Sequence, residues 1–393
     1  MTACFIVDGT RTHFGRYGGA LAGIRPDDLA ASVVASIMRR NPDLDPSCVE
    51  DVYFGDANGA GEDNRNVARM ACLLAGLPTS VPGATVNRLC GSGMEAAIEA
   101  SRAIETGDAE VMLAGGVESM TRAPWVLPKP EGAFPRGNAT MHSTTLGWRM
   151  VNERMPTQWT VSLGEGAEIM ADKYSLTREE QDVFAIRSHR RAAAAWAAGE
   201  YDDEITLVEG VALEMDESIR ADTTLEKLAR LRPAFRRDGT VTAGNASPLN
   251  DGAAALLLME EATASRQGAR PLARIVSRAT TGVDPHLFGI APVEAANKAL
   301  ARAGIGWGDV ASVELNEAFA SQSLACIKSW PELDPQNVNP SGGAIAIGHP
   351  LGASGARLLT TLAWRLHRAG GGYGLAAMCI GVGQGIAVVL EGV

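Results

Sequence analysis

No apolar run in the 393-residue sequence approaches the roughly 18 residues that cross a bilayer as a helix, so no membrane partner is expected. The segment Met1 to Thr10 carries neither a basic region nor a long apolar core. It reads as a first strand rather than an export signal. Cysteine is sparse, with Cys4, Cys48, Cys72, Cys90, Cys326 and Cys379 scattered along the chain. No two of them form a C-x-x-C pair, which argues against a zinc site, and no metal is expected. Without an export signal they read as reduced thiols of a cytoplasmic protein. Positive charge is in deficit as well: 35 Lys and Arg stand against 46 Asp and Glu, a formal net charge of −11. That balance excludes nucleic acid and anionic membrane as main partners. An anionic small molecule stays open if cations gather locally.

What is abundant is glycine, with 44 residues, which implies many tight turns and close backbone approaches. A hydrophobic content of 46% with 21% charged residues describes a globular chain long enough for two domains or one duplicated one. Strand-like apolar runs alternate with helical patterns. Val49 to Gly55, Val81 to Val86, Glu110 to Val117 and Ala253 to Met259 read as strands of the first part. Ala273 to Ser277, Val310 to Leu315, Leu375 to Ile380 and Ile386 to Leu390 read as strands of the second. Between them, Pro26 with Asp27 and Asp28 opens an amphipathic helix. Thr177 to Glu180 is a capping box. This alternation predicts parallel sheets covered on both faces. The pattern breaks from Met120 to Gln158, which holds five prolines and two tryptophans. Excursions of that length are usually lids, binding loops or contact surfaces.

Cys90 sits in Thr85-Val86-Asn87-Arg88-Leu89-Cys90-Gly91-Ser92-Gly93-Met94, where a strand yields to a helix. A thiol at a helix N-terminus feels the positive end of the dipole, which favours the thiolate. The competing reading is a buried structural cysteine. His349 occupies a similar glycine-rich helix entry. Both following helices end at glycine, Gly107 and Gly370, and an apolar strand comes next. This internal similarity points to duplicated halves with paired helix N-termini aimed at one site, in two sheets with helices between and outside them. Alone, His349 reads as a capping residue and Cys379 as a core cysteine. Their equivalent settings raise both as candidates, one thiol as nucleophile, a histidine to take its proton, a second thiol to move protons on carbon.

Asn87-Arg88-Leu89-Cys90-Gly91-Ser92-Gly93, Asn316-Glu317-Ala318-Phe319-Ala320, Gly342 to Pro350 and Cys379-Ile380-Gly381 resemble thiolase motifs, in thiolase order. The resemblance covers essentially the whole chain. It implies an α/β protein of the five-layered αβαβα thiolase fold, with a first half from 1–120 and 245–270, an inserted loop domain over 121–244 and a second half over 271–393. It implies a homodimer or homotetramer acting on CoA thioesters, with coenzyme A as substrate and no permanently bound cofactor. By this resemblance Cys90 carries the acyl group, His349 activates it and Cys379 is the acid/base at the α-carbon. Asn316, through a water, and His349 form one oxyanion hole. The backbone N–H groups of Cys90 and Gly381 form the other, the glycine permitting that approach. Ser247 matches a pantetheine contact and Arg220 a contact at the nucleotide end. Ala318 and Phe319 belong to the second motif, and Leu163 replaces the middle of a His-Met-Gly stretch found in biosynthetic members.

That replacement, together with Pro248 after Ser247, separates the chain from the biosynthetic acetoacetyl-CoA thiolases. Arg25 to Leu29, Gly61 to Asn66 and Arg220 to Leu231 look more like degradative thiolases, especially those of 3-oxoadipyl-CoA in aromatic catabolism; fatty acid β-oxidation is the other degradative setting. Condensation of two acetyl-CoA is the alternative within the fold. A catalytically silent lipid-binding or scaffold protein is the alternative from another class. Residues 121–160 carry five cations (Arg122, Lys129, Arg136, Arg149, Arg154) and two acids (Glu131, Glu153), a local charge of +3. Such an excess suits steering of CoA phosphates or pairing with a distal acyl carboxylate. A solvated loop or subunit contact is the plain alternative.

Overall fold

The computed structural model describes residues 2–393. Nine strands form its sheet: β1 (Cys4–Thr12), β2 (Asp51–Gly55), β3 (Ala84–Val86), β4 (Val111–Ser119), β5 (Asn250–Glu260), β6 (Ala273–Gly282), β7 (Val310–Leu315), β8 (Gly372–Ile380) and β9 (Gln384–Gly392). Two two-residue strands, Gly15–Arg16 and Ile205–Thr206, add to β5 and β1. The strand order is β7-β8-β9-β6-β1-β5-β4-β2-β3. Read outward from its centre, each half runs first strand, last strand, next-to-last strand, second strand, and the first half adds β3 at its edge. The duplication expected from the two glycine-ended helices is therefore present in the topology.

Three expectations need correction. The sheet is continuous, because β1 and β6 pair antiparallel at Phe5↔Arg274 and Ile6↔Ala273. The two sheets meet at this short seam instead of being separate. Nor are the strands all parallel. β2 runs parallel to β3 and β4, and β7 to β8. The closing strand of each half returns antiparallel, β5 against β4 and β9 against β8. For β9 the reason is local, since only the turn 381–383 separates it from β8 and so short a link can only reverse the chain. A third correction concerns Val81 to Val86. Its strand shrinks to the sheet-edge residues of β3, which are half-buried to exposed.

The layers follow from the period-2 alternation of side chains. On β5, Leu256 and Leu258 face one core, while Ala255, Leu257 and Met259 face another. On β9, Ile386, Val388 and Leu390 face the first core, and Ala387 and Val389 a third. The first core lies between the halves of the sheet and is filled by α3 (Ser92–Thr106) and Leu351–Ala369. The outer cores are covered by α1 (Pro26–Arg40) and α2 (Val67–Leu74) on one side, and by Ala291–Ala303 on the other. This is αβαβα. With α4 (Leu163–Lys173), α5 (Arg178–Ala197), α6 (Ala291–Ala303) and α7 (Ala320–Lys328) named in chain order, Leu351–Ala369 is α8. Short helical turns lie between them.

Helix ends obey local chemistry. Pro26 starts α1, with Asp27 and Asp28 in its first turn and Arg39 and Arg40 in its last. Thr177 and Glu180 form the reciprocal capping box of α5. Helices α3 and α8 stop at left-handed Gly107 and Gly370. They also approach closely at their starts: a Cβ on Gly93 would lie 2.5 Å from the carbonyl oxygen of Gly352. Most of 121–160 is irregular and exposed, apart from a small hairpin of Trp125–Val126 with His142–Ser143.

Candidate active site

The α3–α8 pairing brings Cys90 and His349 to one place. Both precede a helix start, one from each half, and the β8–β9 turn adds Cys379 and Gly381. These four line a single cavity of about 400 Å3, together with Leu163, Arg220, Ser247, Ala318 and Phe319. Every candidate catalytic or CoA-contact residue named from the sequence reaches this cavity directly except Asn316, whose Nδ2 lies 3.3 Å from His349 Nε2. A wider surface depression of about 650 Å3, around Arg25, Glu62 and Arg122, contains none of them.

The Cys90 turn is held by its own polar groups. Ser92 Oγ accepts from Arg88 N–H at 2.9 Å and donates to Leu89 O at 2.6 Å. Asn87 Oδ1 accepts from Leu89 N–H at 2.9 Å. Leu89 is forced to φ +48°, a conformation a branched residue adopts only when its surroundings impose it. Arg88 pairs with Glu95 on α3 and donates to Gln384 at the start of β9. Both halves thus clamp the thiol.

Cys90 itself is 8% exposed. Burial pushes its thiol up to about 11, and the Glu118 charge adds to this; backbone N–H groups of Gly381 and Cys90 pull the other way. The dipole-favoured thiolate expected from the sequence is therefore corrected. A helix terminus supplies about 0.3–1 kcal/mol, up to about 2 in partly buried sites. Raising the thiol from 9.0 to about 11 corresponds to nearly 3 kcal/mol the other way. Helix α3 also begins two residues later, at Ser92. Cys379 is buried more deeply, and burial with the nearby Cys90 holds its thiol well above the ordinary value.

His349 is pushed down to about 3, by burial first and by Arg357 second. Its backbone N–H donates to Asn250 Oδ1 at 2.9 Å. Its Nδ1 lies 2.6 Å from Ser354 Oγ, and that hydroxyl donates its only proton to Pro350 O at 2.8 Å. Ser354 must therefore accept from Nδ1–H. Neutral His349 is left with a bare Nε2 facing Asn316 and the cavity. Asn316 is fully buried and its Oδ1 has no partner.

Gly381 borders the open space of the cavity. A Cβ there would meet only Leu89 at 3.4 Å and Leu163 at 3.7 Å, which is ordinary contact. Its absence keeps cavity space free between those leucines. The N–H direction is fixed instead by the turn, where Val382 takes φ +64° and Gly383 φ +73°.

Ser247 donates from both N–H and Oγ to Ala318 O at 3.0 Å, tying its loop to the second motif. Arg220 lies exposed at the rim, with its backbone N–H on His189 Nδ1 at 3.2 Å. Leu163 opens α4 behind the Ser162 cap. Phe235 and Phe288 also line the cavity, each edge-on to Phe319 at 6.2 and 6.4 Å. Neither they nor Ser354 and Asn250 stood out as site residues in the sequence. Ser354 alone had a usable signal, a hydroxyl five residues after a candidate base on the same helix entry. All six cysteines are free. Among the described residues no helix is long and apolar enough to cross a membrane.

The sequence matches the family described as thiolase, N-terminal domain, over residues 4–262 and thiolase, C-terminal domain, over residues 269–392. It is 53% identical to the 3-oxoadipyl-CoA/3-oxo-5,6-dehydrosuberyl-CoA thiolase of Escherichia coli K12 and 51% identical to the beta-ketoadipyl-CoA thiolase of Pseudomonas putida, covering 100% of each chain. Among solved structures it resembles an acetyl-CoA acetyltransferase of Bacillus anthracis, with 39% identity, TM-score 0.93 and coverage of 100% and 99%. It also resembles human mitochondrial 3-ketoacyl-CoA thiolase in complex with CoA, with 38% identity, TM-score 0.93 and coverage of 100% and 98%.

Proposed function

The chain belongs to the thiolase family and is an acyltransferase, and from that premise we propose that it cleaves 3-oxoadipyl-CoA with coenzyme A to acetyl-CoA and succinyl-CoA. The observation that carries the reading is the convergence of Cys90, Cys379, His349 and Gly381 in one buried cavity. The relatives named for 3-oxoadipyl-CoA select the substrate.

In this reading substrate binds with its 3-oxo carbon beside Cys90. The thiol proton passes to the bare Nε2 of His349 as sulfur attacks that carbon. The same Nε2, now protonated, donates to the oxygen on which charge gathers, with Asn316 beside it. The bond between the 2- and 3-carbons breaks, and Cys379 protonates the departing acetyl-CoA carbanion. Succinyl remains on Cys90. The thiol of incoming coenzyme A gives its proton to the Cys379 thiolate and attacks this thioester, the N–H groups of Cys90 and Gly381 hold its oxyanion, and Cys90 leaves as a thiol by taking its proton back from His349. Ser247 and Leu163 border the pantetheine arm and Arg220 meets the nucleotide end.

Two further parts of the reading concern organisation. Residues 1–120 with 245–270, and 271–393, act as the two halves, with 121–244 as the insertion that shapes the mouth. The exposed side chains of Trp125, Leu127, Phe134, Met141, Met150 and Val151 gather in that insertion, which supports a homodimer or homotetramer buried there.

The test incubates enzyme with 3-oxoadipyl-CoA and follows both products by chromatography, with mass spectrometry of the protein before coenzyme A is added. A succinyl adduct on Cys90, absent in Cys90→Ala, is expected. Cys379→Ala should still acylate at Cys90 but stop exchange of acetyl-CoA methyl protons with deuterated water. Labelling confined to Cys379 would overturn the roles. Turnover of acetoacetyl-CoA alone would leave the acetyltransferase reading, and no turnover at all a silent scaffold.

A further inference from the structure

The five cations of 121–160 are not equivalent in the fold. Lys129, Arg136 and Arg154 are exposed. Arg122 is half-buried, but Glu62 accepts from its Nε and Nη2, so its charge is already matched. Arg149 is half-buried with no carboxylate partner among the described residues, and its one side-chain bond runs from Nη2 to the neutral Asn58 Oδ1 at 3.3 Å.

Arg149 is held in place from several sides. Thr144 is buried and accepts from Asn58 Nδ2 at both its carbonyl and its Oγ1, at 3.1 and 2.9 Å. That contact fixes the amide so that Oδ1 must face Arg149. Thr144 Oγ1 donates to Pro124 O at 2.6 Å, and Trp148 Nε1 to Val161 O at 3.1 Å, two residues before Leu163 of the cavity wall. Leu146, between these straps, lines the cavity itself. On the other side Asn87 Nδ2 donates to Ala57 O at 3.0 Å, which seats Asn58 against the Cys90 turn. An unmatched arginine is thus strapped three residues along the chain from Leu146, which lines the acyl cavity.

We propose that Arg149 receives the distal carboxylate of the dicarboxylic acyl group carried on Cys90, and thereby sets substrate preference. The proposal rests on the 3-oxoadipyl-CoA reading. A succinyl group on Cys90 places its free carboxylate roughly 5 Å from the sulfur, counting bonds of about 1.5 Å. The cavity offers that carboxylate mostly apolar walls, and its one arginine, Arg220, lies exposed at the rim. The acids nearest Asn58 do not forbid an anion there. Burial first and repulsion among neighbouring carboxylates second raise Asp56, Asp63 and Glu118 above the ordinary carboxylate range, which weakens their opposition to a further anion.

The test compares kcat/KM for 3-oxoadipyl-CoA and for the uncharged 3-oxohexanoyl-CoA in wild type, R149M and R149K, with the oligomeric mass of each measured by light scattering. The ratio within one variant cancels any general loss from misfolding. Wild type should prefer 3-oxoadipyl-CoA by tenfold or more. R149M should lose most of that preference through KM, and R149K should keep part of it, because a point charge replaces a fork. A wild type with no preference overturns the substrate reading and this inference together. A wild type that prefers 3-oxoadipyl-CoA while R149M retains the full preference overturns this inference alone. So does an R149M protein whose mass changes while its ratio does not, which would make Arg149 a subunit contact.

Discussion

In the free enzyme Cys90 should be a neutral thiol at pH 7, and His349 a neutral imidazole beside it. The perturbation that reveals this is pH itself. With the thiol at about 11, the thiolate fraction at pH 7 is about one in ten thousand. An ordinary thiol at 9.0 has about one in a hundred, so Cys90 should be alkylated about a hundredfold more slowly than an exposed cysteine. The gap between the thiol at about 11 and the imidazole at about 3 places the ion pair on the order of 10 kcal/mol above the neutral pair in the empty site. Substrate must close most of that gap, by offering sulfur a carbon to bond and His349 Nε2–H an oxyanion to meet. The assay is the rate of iodoacetamide alkylation at Cys90, followed by mass spectrometry from pH 5 to 9.5. The logarithm of the rate should climb linearly with unit slope and show no plateau. His349→Ala should leave that slope unaltered, since no imidazolium supports the thiolate in the resting enzyme. A plateau with a midpoint below pH 8, lost in His349→Ala, would refute the reasoning and establish a resting ion pair.

Ser354→Ala should reduce kcat/KM about ten- to hundredfold in the thiolysis assay, because a buried hydrogen bond worth about 1–3 kcal/mol no longer selects the Nδ1–H tautomer; unchanged turnover would show that Asn316 orients the ring alone. Asp56→Asn should stabilise the protein by on the order of 2 kcal/mol at pH 8 and by less at pH 5, read from denaturant midpoints. The sign follows from a folded-state carboxyl raised from 3.8 to about 7: its ionisation in the unfolded chain removes stability as pH climbs through that window, and Asn cannot ionise. Gly93→Ala should cost more than about 3 kcal/mol, as its Cβ would sit 2.5 Å from Gly352 O and 3.0 Å from Ala356 N, whereas Ala at the uncrowded Gly132 should be neutral. Phe134→Asp, at a side chain 91% exposed, should lower the mass seen by light scattering if the insertion buries subunits, and leave it unchanged if it does not.

Where a feature depends on a few neighbouring residues, the sequence was sufficient. Val310–Leu315 is a strand with the bounds its apolar run implies, and Thr177 with Glu180 closes the box that opens α5. Cys90, His349 and Cys379 were placed together because each stands where glycines interrupt a strand-to-helix or strand-to-strand passage, and those passages recur. Other features depend on what lies across the fold. Asn250 holds the His349 N–H from 99 positions away, and no local pattern marks it. Phe235 and Phe288 carry no local mark either, and only the fold sets them edge-on to Phe319. The protonation of Cys90 was misread for the same reason. The helix entry is visible in sequence, but the burial that outweighs its dipole is a property of both halves closing over the thiol.

That closure explains why neither half could do the chemistry alone. The first half supplies a thiol on a turn strained at Leu89; the second supplies the imidazole of His349 and the second thiol at Cys379, with the N–H of Gly381. They meet because α3 and α8 begin almost in backbone contact, with Gly93 against Gly352 and Gly355 against Met94 N at 2.3 Å for an added Cβ. The same approach buries the two thiols and the imidazole and so keeps all three uncharged. A buried, neutral set of side chains suits a reaction whose charge appears on oxygen and carbon of the bound thioester, where preplaced donors can meet it. The glycines that look like mere flexibility in the sequence thus set the electrostatics of the chemistry, by fixing how near two helix starts can come.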